Sequence, residues 1–310
     1  MTSTSSDGIR PPRLRPGATI GVAAISGPVD PNRLEAGVRE LERRGYRVVL
    51  ADNVLERRGF LAGTDAERAA GYRRLLTDPS VDAIFFARGG YGASRILRHL
   101  DAEELVAPPR IHLGGSDLTA LFAYLAAHTG LVAMYGPMVA GTAAPLDAPG
   151  LDWEDVLRGK TPAVHAFGPD DVLAGGSGAG PLVGGCLSLV ASLAGTPEAI
   201  SGDGAVLFWE DVGEPAYRLD RMLTQLERSG TLDRLQAMLI GSISTGANGG
   251  GDSSEAVSAW LRDRFAGAPF PVVKGFPAGH VAGTRTLPLG ARVRLDANRG
   301  VLEFDGPAVA

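Results

Sequence analysis

Only one of the 310 residues is a cysteine, Cys186. A lone thiol excludes an intrachain disulfide and any cysteine-cluster metal site. No stretch is long and apolar enough to span a bilayer, so a membrane is not an expected partner. Neither sign of charge dominates: 30 Lys and Arg stand against 35 Asp and Glu, a formal net charge of −5. Without a basic patch, nucleic acid is not an expected partner either. Residues 1–17 are rich in Ser, Pro and Arg and lack an apolar signal core, which predicts no secretory signal and a cytoplasmic protein. His-Glu-x-x-His and paired-histidine patterns are missing, so no metal is expected. No Walker lysine follows either glycine-rich loop, and the Gly-x-Gly-x-x-Gly spacing fails, so no nucleotide cofactor is expected. The run Gly246 to Gly251 reads as a surface loop.

What is present is a chain long enough for roughly two domains. Hydrophobic residues make up 45% and charged residues 21%, ordinary values for a globular protein. The first half alternates strand-like and helix-like segments. Strands are expected at residues 18–25, 46–50, 82–87, 111–113 and 131–135. Asp30-Pro31 and Thr64-Asp65 read as helix starts. This βαβα order predicts an α/β protein with an N-terminal doubly wound (flavodoxin-like) parallel sheet. Between residues 141 and 180 Pro, Gly and Ala dominate, and the pattern weakens. The expected division is an N-terminal α/β domain over 1–160, a linker over 161–180, and a smaller mixed β-rich domain over 181–310.

In doubly wound sheets, ligands bind beyond the carboxyl ends of the strands. Gly115-Ser116-Asp117 falls there, between an apolar strand and an apolar helix. A serine on such a turn is exposed, and the N–H of the next residue points at what the serine attacks. Gly114 and Gly115 are expected to supply the backbone freedom. The same tripeptide is also compatible with a plain helix cap.

A serine nucleophile needs a base. His99 and His128 sit near helix C-termini, His112 lies within a buried strand, and His165 is in the linker region. His280 follows a strand in the glycine-flanked loop Pro277-Ala278-Gly279-His280, shortly before an expected turn at Leu287-Pro288-Leu289-Gly290, and a side chain there reaches a cleft or stays on the surface. The apolar run Val206-Leu207-Phe208-Trp209 leads into Glu210-Asp211. Carboxylates at the end of a buried strand require partners, so Glu210 is the candidate to orient the histidine. Asp211 and Glu214 fit the start of the following helix better. Arg88-Gly89-Gly90-Tyr91-Gly92 lets backbone amides approach a substrate oxygen, and one of them could pair with the Asp117 N–H as an oxyanion hole.

Together these segments resemble the murein tetrapeptide LD-carboxypeptidase family of serine peptidases, which includes microcin-immunity-type members. The resemblance runs through the Arg88 loop, Gly115-Ser116-Asp117-Leu118-Thr119, Gly136-Pro137-Met138, Gly184-Gly185-Cys186-Leu187-Ser188, Gly195-Thr196-Pro197, Glu210-Asp211-Val212-Gly213-Glu214, Gly279-His280 and Leu287-Pro288-Leu289-Gly290. It implies a nucleophile at Ser116, an acid at Glu210 and a base at His280, with oxyanion donors at Gly89 and Asp117. It also implies a homodimer, a small peptide substrate and release of terminal D-alanine in peptidoglycan recycling. Arg88, Gly90 and Tyr91 are the expected substrate-binding residues, Arg88 for a terminal carboxylate. Two departures stand out: Cys186 where the family has asparagine, and Gly115 where it often has an aromatic. An immunity-type peptidase would instead need an aromatic shelf for a base, for which Trp153 and Phe167 are the candidates in a chain with 6% aromatics. A two-lobed binding protein without turnover is the alternative from another class.

Overall fold

The structure, a computed structural model, describes residues 8–141, 146, 148–246 and 252–310. Most of the glycine-rich run expected as a surface loop, 247–251, lies outside the described residues. The first five strands are β1 (Thr19–Ala23), β2 (Arg47–Leu50), β3 (Ala83–Phe86), β4 (Ile111–Gly114) and β5 (Ala133–Tyr135). They pair in parallel in the order 2-1-3-4-5, the doubly wound order with a switch point beside β1 and β3. The expected helix signals operate. Asp30 accepts the N–H groups of Asn32 and Arg33 at the start of the helix Pro31–Arg43. Thr64 and Glu67 form a reciprocal capping box on the helix Asp65–Thr77, the arrangement that satisfies two orphan amides at once.

The second sheet contains β6 (His165–Ala166), β7 (Val172–Ala174), β8 (Ser177–Cys186), β9 (Val206–Val212), β10 (Ala237–Ser244) and β11 (Val272–Val273). Of the last three strands, β12 (Leu287–Leu289), β13 (Arg292–Asp296) and β14 (Val301–Phe304), only the last two belong to it. Its order is 6-14-13-8-9-10-11-7, with β8 to β11 parallel and the rest antiparallel.

Two expectations are corrected here. The stretch 161–180 is not a bare linker, because it carries β6, β7 and the start of β8. The glycines of β8 mark close backbone approach rather than slackness. A Cβ on Gly178 would meet the Gln236 carbonyl oxygen at 1.9 Å, and one on Gly184 the Phe208 oxygen at 1.8 Å. The segment Leu287-Pro288-Leu289, expected as a turn, is instead β12, which pairs antiparallel with β5 at the edge of the first sheet. The C-terminal stretch thus completes the N-terminal sheet.

The helix Thr119–His128 lies where the two sheets meet. Its residues Thr119 to Leu125 are all buried, as expected of a helix that is apolar all round. One core cluster runs through it from Ile84 and Phe86 of the first sheet to Phe208 and Val293 of the second. The helix Ala216–Arg228 buries Leu219, Leu223 and Leu226 on the far face of the second sheet.

Candidate active site

Ser116 is separated from β4 by Gly115 alone and begins the short helical turn Ser116–Leu118. It is the one non-glycine residue among those described with a positive φ, 59°. Holding a serine there costs about 1–3 kcal/mol. The strain falls on the serine itself, not on the glycines expected to absorb it: Gly115 is extended, with φ −158°. The glycines supply room instead. A Cβ on Gly115 would lie 3.1 Å from the Gly136 oxygen, and one on Gly114 3.1 Å from the Phe86 ring.

Three hydrogen bonds hold this turn. The Ser116 carbonyl accepts from Thr119 Oγ1 at 2.7 Å, and Thr119 Oγ1 accepts from the Cys186 N–H at 3.0 Å. The Ser116 N–H donates to the Tyr135 hydroxyl at 2.9 Å. Asp117 is fully buried, and its Oδ2 accepts from Ser26 Oγ at 2.6 Å and the Ala93 N–H at 2.8 Å. That one carboxylate ties the β1 loop, the Arg88 loop and the serine turn together.

Glu210 sits on β9 with no exposed surface. Its Oε2 accepts the His280 backbone N–H at 3.0 Å and pairs with His280 Nδ1 at 2.7 Å. A carboxylate only accepts, so Nδ1 carries the proton and Nε2 is left as an acceptor. Burial disfavours the His280 cation, yet the hydrogen bond and charge of Glu210, with Asp211 behind, outweigh it and hold the imidazole above its ordinary 6.5. Gly279 makes the approach possible, since a Cβ there would stand 2.4 Å from Glu210 Oε2.

Ser116 and His280 line the same cleft, together with Arg88, Gly89 and Gly90. No hydrogen bond joins Ser116 Oγ to the His280 ring in this arrangement. Gly89 faces the serine so closely that a Cβ would lie 2.8 Å from Ser116 Oγ and 3.4 Å from the Asp117 nitrogen. Arg88 donates to the carbonyls of Pro28 at 3.0 Å and Gly89 at 3.2 Å, and no carboxylate pairs with it among the described residues. Ser116, Glu210, His280, Gly89, Gly90, Asp117 and Arg88 are thus gathered in one region, although Arg88 and His280 stand far apart in the sequence.

Other candidates fall elsewhere. Tyr91 is 48% exposed and packs tilted against Phe60, ring centroids 5.7 Å apart, instead of lining the cleft. Trp153 is buried against Phe85, and Phe167 packs on His165 and Phe276. Neither forms a shelf in the cleft. His112 is buried against the Tyr72 hydroxyl at 2.7 Å, and burial pulls its imidazole down to about 4. Asp211 accepts the Ser188 N–H, at the start of the helix Leu187–Ser192, at 2.8 Å. Burial is the main force pushing its carboxyl upward. The Cys186 thiol lies 3.3 Å from Ser188 Oγ and 3.6 Å from Asp211 Oδ2, and burial holds it neutral, well above its usual range. Tyr135, whose hydroxyl also donates to Glu210 Oε1 at 2.7 Å, carries no sequence signal beyond ending an apolar strand.

A strained serine on a strand-to-helix turn lines one cleft with a histidine held by a buried carboxylate, groups with which hydrolysis of a carbonyl substrate could be carried out. Comparison with known proteins narrows the class. The chain matches the LD-carboxypeptidase N-terminal domain over residues 20–136 and the LD-carboxypeptidase C-terminal domain over residues 179–295, and it belongs to that family of peptidases. A Streptomyces coelicolor relative with a provisional carboxypeptidase name is 42% identical over 97% of each chain. The murein tetrapeptide carboxypeptidase of Pseudomonas aeruginosa is 32% identical over 90% of this chain and 94% of its own. A crystal structure of muramoyltetrapeptide carboxypeptidase from Oxalobacter formigenes superposes with a TM-score of 0.78 at 31% identity, covering 94% of this chain and all of that one. The microcin C7 self-immunity protein MccF in complex with glutamyl sulfamoyl guanosine shares the fold, with a TM-score of 0.84 at 24% identity over 97% of this chain and 99% of that one.

Proposed function

We propose that this peptidase is a serine LD-carboxypeptidase that removes the terminal D-alanine of murein tetrapeptide. Ser116 Oγ attacks the carbonyl carbon of the L-configured centre, and its proton passes to His280 Nε2. The tetrahedral oxyanion is received by the N–H groups of Asp117 and Gly89, which have no protein acceptor among the described residues. Collapse expels the D-alanine amine, which takes the proton from His280. Water then repeats the sequence on the acyl-enzyme. Glu210 holds the tautomer that leaves Nε2 free.

The observation carrying this reading is the convergence of Ser116, at φ 59°, and the His280–Glu210 pair on one cleft. Arg88 is the proposed partner of the substrate's terminal carboxylate. Its lining position and carbonyl-only partners support the role. The relatives named for murein peptides at about one-third identity support the substrate class. Cytoplasmic location, a part in peptidoglycan recycling and a homodimeric state belong to the same proposal and rest on the family likeness.

The decisive experiment measures D-alanine release from murein tetrapeptide beside cleavage of an aminoacyl sulfamoyl nucleotide. The expected result is turnover of the first, lost on the order of a million-fold in Ser116→Ala, with fluorophosphonate labelling abolished by the same substitution. Turnover of the nucleotide alone would reassign the substrate. No labelling of folded protein would point to a binding protein instead.

A further inference from the structure

Tyr135 is fully buried at the end of β5. Its hydroxyl stands between the two halves of the cleft, accepting the Ser116 N–H at 2.9 Å and donating to Glu210 Oε1 at 2.7 Å. The directions are forced. An amide N–H only donates, so the single phenolic proton is free for the carboxylate. The ring is fixed edge-on against Phe208 at 5.4 Å and Phe122 at 6.4 Å, so the hydroxyl has little freedom to drift. The first sheet therefore reaches Glu210 of the second through one rigid side chain.

We infer that Tyr135 is a positioning residue that joins the Ser116 turn and the Glu210–His280 pair into one unit, its hydroxyl setting how strongly Glu210 holds His280. The part concerning the nucleophile rests on the role proposed above for Ser116.

The division of partners at Glu210 carries the inference. Oε1 takes Tyr135, while Oε2 takes both the ring and the backbone N–H of His280. The other titratable groups facing Glu210 are Asp211, next along β9, and the Cys186 thiol, its register partner on β8. Asp211 is occupied by the N–H groups of Ser188 and Val212, and Cys186 stays neutral. Burial and the Glu210 charge push the Tyr135 phenol well above its usual range, so it remains a donor. Removing the hydroxyl would leave Oε1 bare and strengthen the pull of the carboxylate on the His280 proton. It would also leave the partly buried Ser116 N–H without an acceptor. Because that N–H is engaged, it is not an oxyanion donor, which leaves the task to Asp117 and Gly89.

Two measurements on the intact protein test this: the pH dependence of fluorophosphonate labelling at Ser116, and the NMR titration of the His280 imidazole. In Tyr135→Phe both midpoints are expected to rise by about half to one pH unit. The plateau labelling rate should fall about tenfold, the effect of one buried hydrogen bond. Fluorotyrosine at Tyr135, a stronger donor, should move both midpoints down, an opposite displacement that loss of folding would not give. Unmoved His280 midpoints in both variants would overturn the inference, whatever the melting temperatures. If the His280 NMR midpoint moves but wild-type Ser116 is never labelled, the coupling stands and the serine-peptidase reading falls. If Ser116 is labelled and the midpoints stay fixed, the coupling falls and the serine-peptidase reading stands.

Discussion

Gly89→Ala adds one methyl group beside the proposed nucleophile. Gly89 is buried, and its φ lies outside the left-handed region, so alanine can adopt the backbone. The new Cβ would fall 2.7 Å from Ser116 Cβ and 2.8 Å from its Oγ. Carbon atoms settle at about 3.5–4.0 Å, so the loop and the serine turn must part by about 1 Å. The turn cannot yield easily, because Tyr135, Thr119 and Asp117 each hold it. The loop must therefore move, carrying the Gly89 N–H away from the oxyanion. Losing one such donor costs about a hundred- to a thousand-fold in rate, and a 1 Å misplacement about a hundred-fold. Overpacking costs about 1–3 kcal/mol of stability, partly offset by about 0.4–1 kcal/mol from a less flexible unfolded chain. The expected variant folds, melts within a few degrees of wild type, and loses about two to three orders of magnitude in kcat/KM for D-alanine release. Activity within threefold of wild type would refute the placement of Gly89 in the oxyanion hole.

Further expectations concern charge and burial. With His280 held above 6.5 by Glu210, kcat/KM should rise with pH through a midpoint above that value. Glu210→Gln should lower the midpoint while cutting the rate, as a pH–rate series would show. Stability from the same pair is present at low pH and declines as pH rises through the His280 midpoint. His112 works the other way. Its imidazole titrates near 4 in the fold against an ordinary 6.5, so the unfolded chain takes up the proton first and stability should fall as pH drops from about 6.5 towards 4, by about 3 kcal/mol at most. Urea midpoints across that window, compared with His112→Asn, check this. Asp117→Ala strands the Ser26 hydroxyl and the Ala93 N–H without acceptors, at about 1–3 kcal/mol each. Its melting temperature and labelling rate should both drop.

The correspondence between sequence and structure is uneven for physical reasons. Ser116, Glu210 and His280 could be singled out as candidates from the chain because each sits at a local junction with its own pattern: strand into glycine turn, apolar run into acids, and a glycine-flanked loop. The parallel sheet was legible because buried strands and capped helices write themselves in short range, as Asp30 and Thr64 do. Strand β8 was not, because its glycines answer to the backbones of Gln236 and Phe208, which the local sequence does not contain. Strand β12 was not, because Leu287-Pro288-Leu289 becomes a strand only by meeting β5, far earlier in the chain. Tyr135 looked like any core aromatic, and Tyr91 like a cleft residue.

The chain alone determined the repertoire: one thiol, no basic face, no membrane-length run, and a serine, an acid and a histidine each at the end of an element. Tertiary structure alone decided which of five histidines meets a fully buried carboxylate, that the strain of the turn rests on Ser116 rather than on its glycines, and that a tyrosine hydroxyl links the two sheets. Local sequence governs torsions and caps, whereas a hydrogen bond between residues 75 positions apart, as from Tyr135 to Glu210, exists only once the intervening chain has packed.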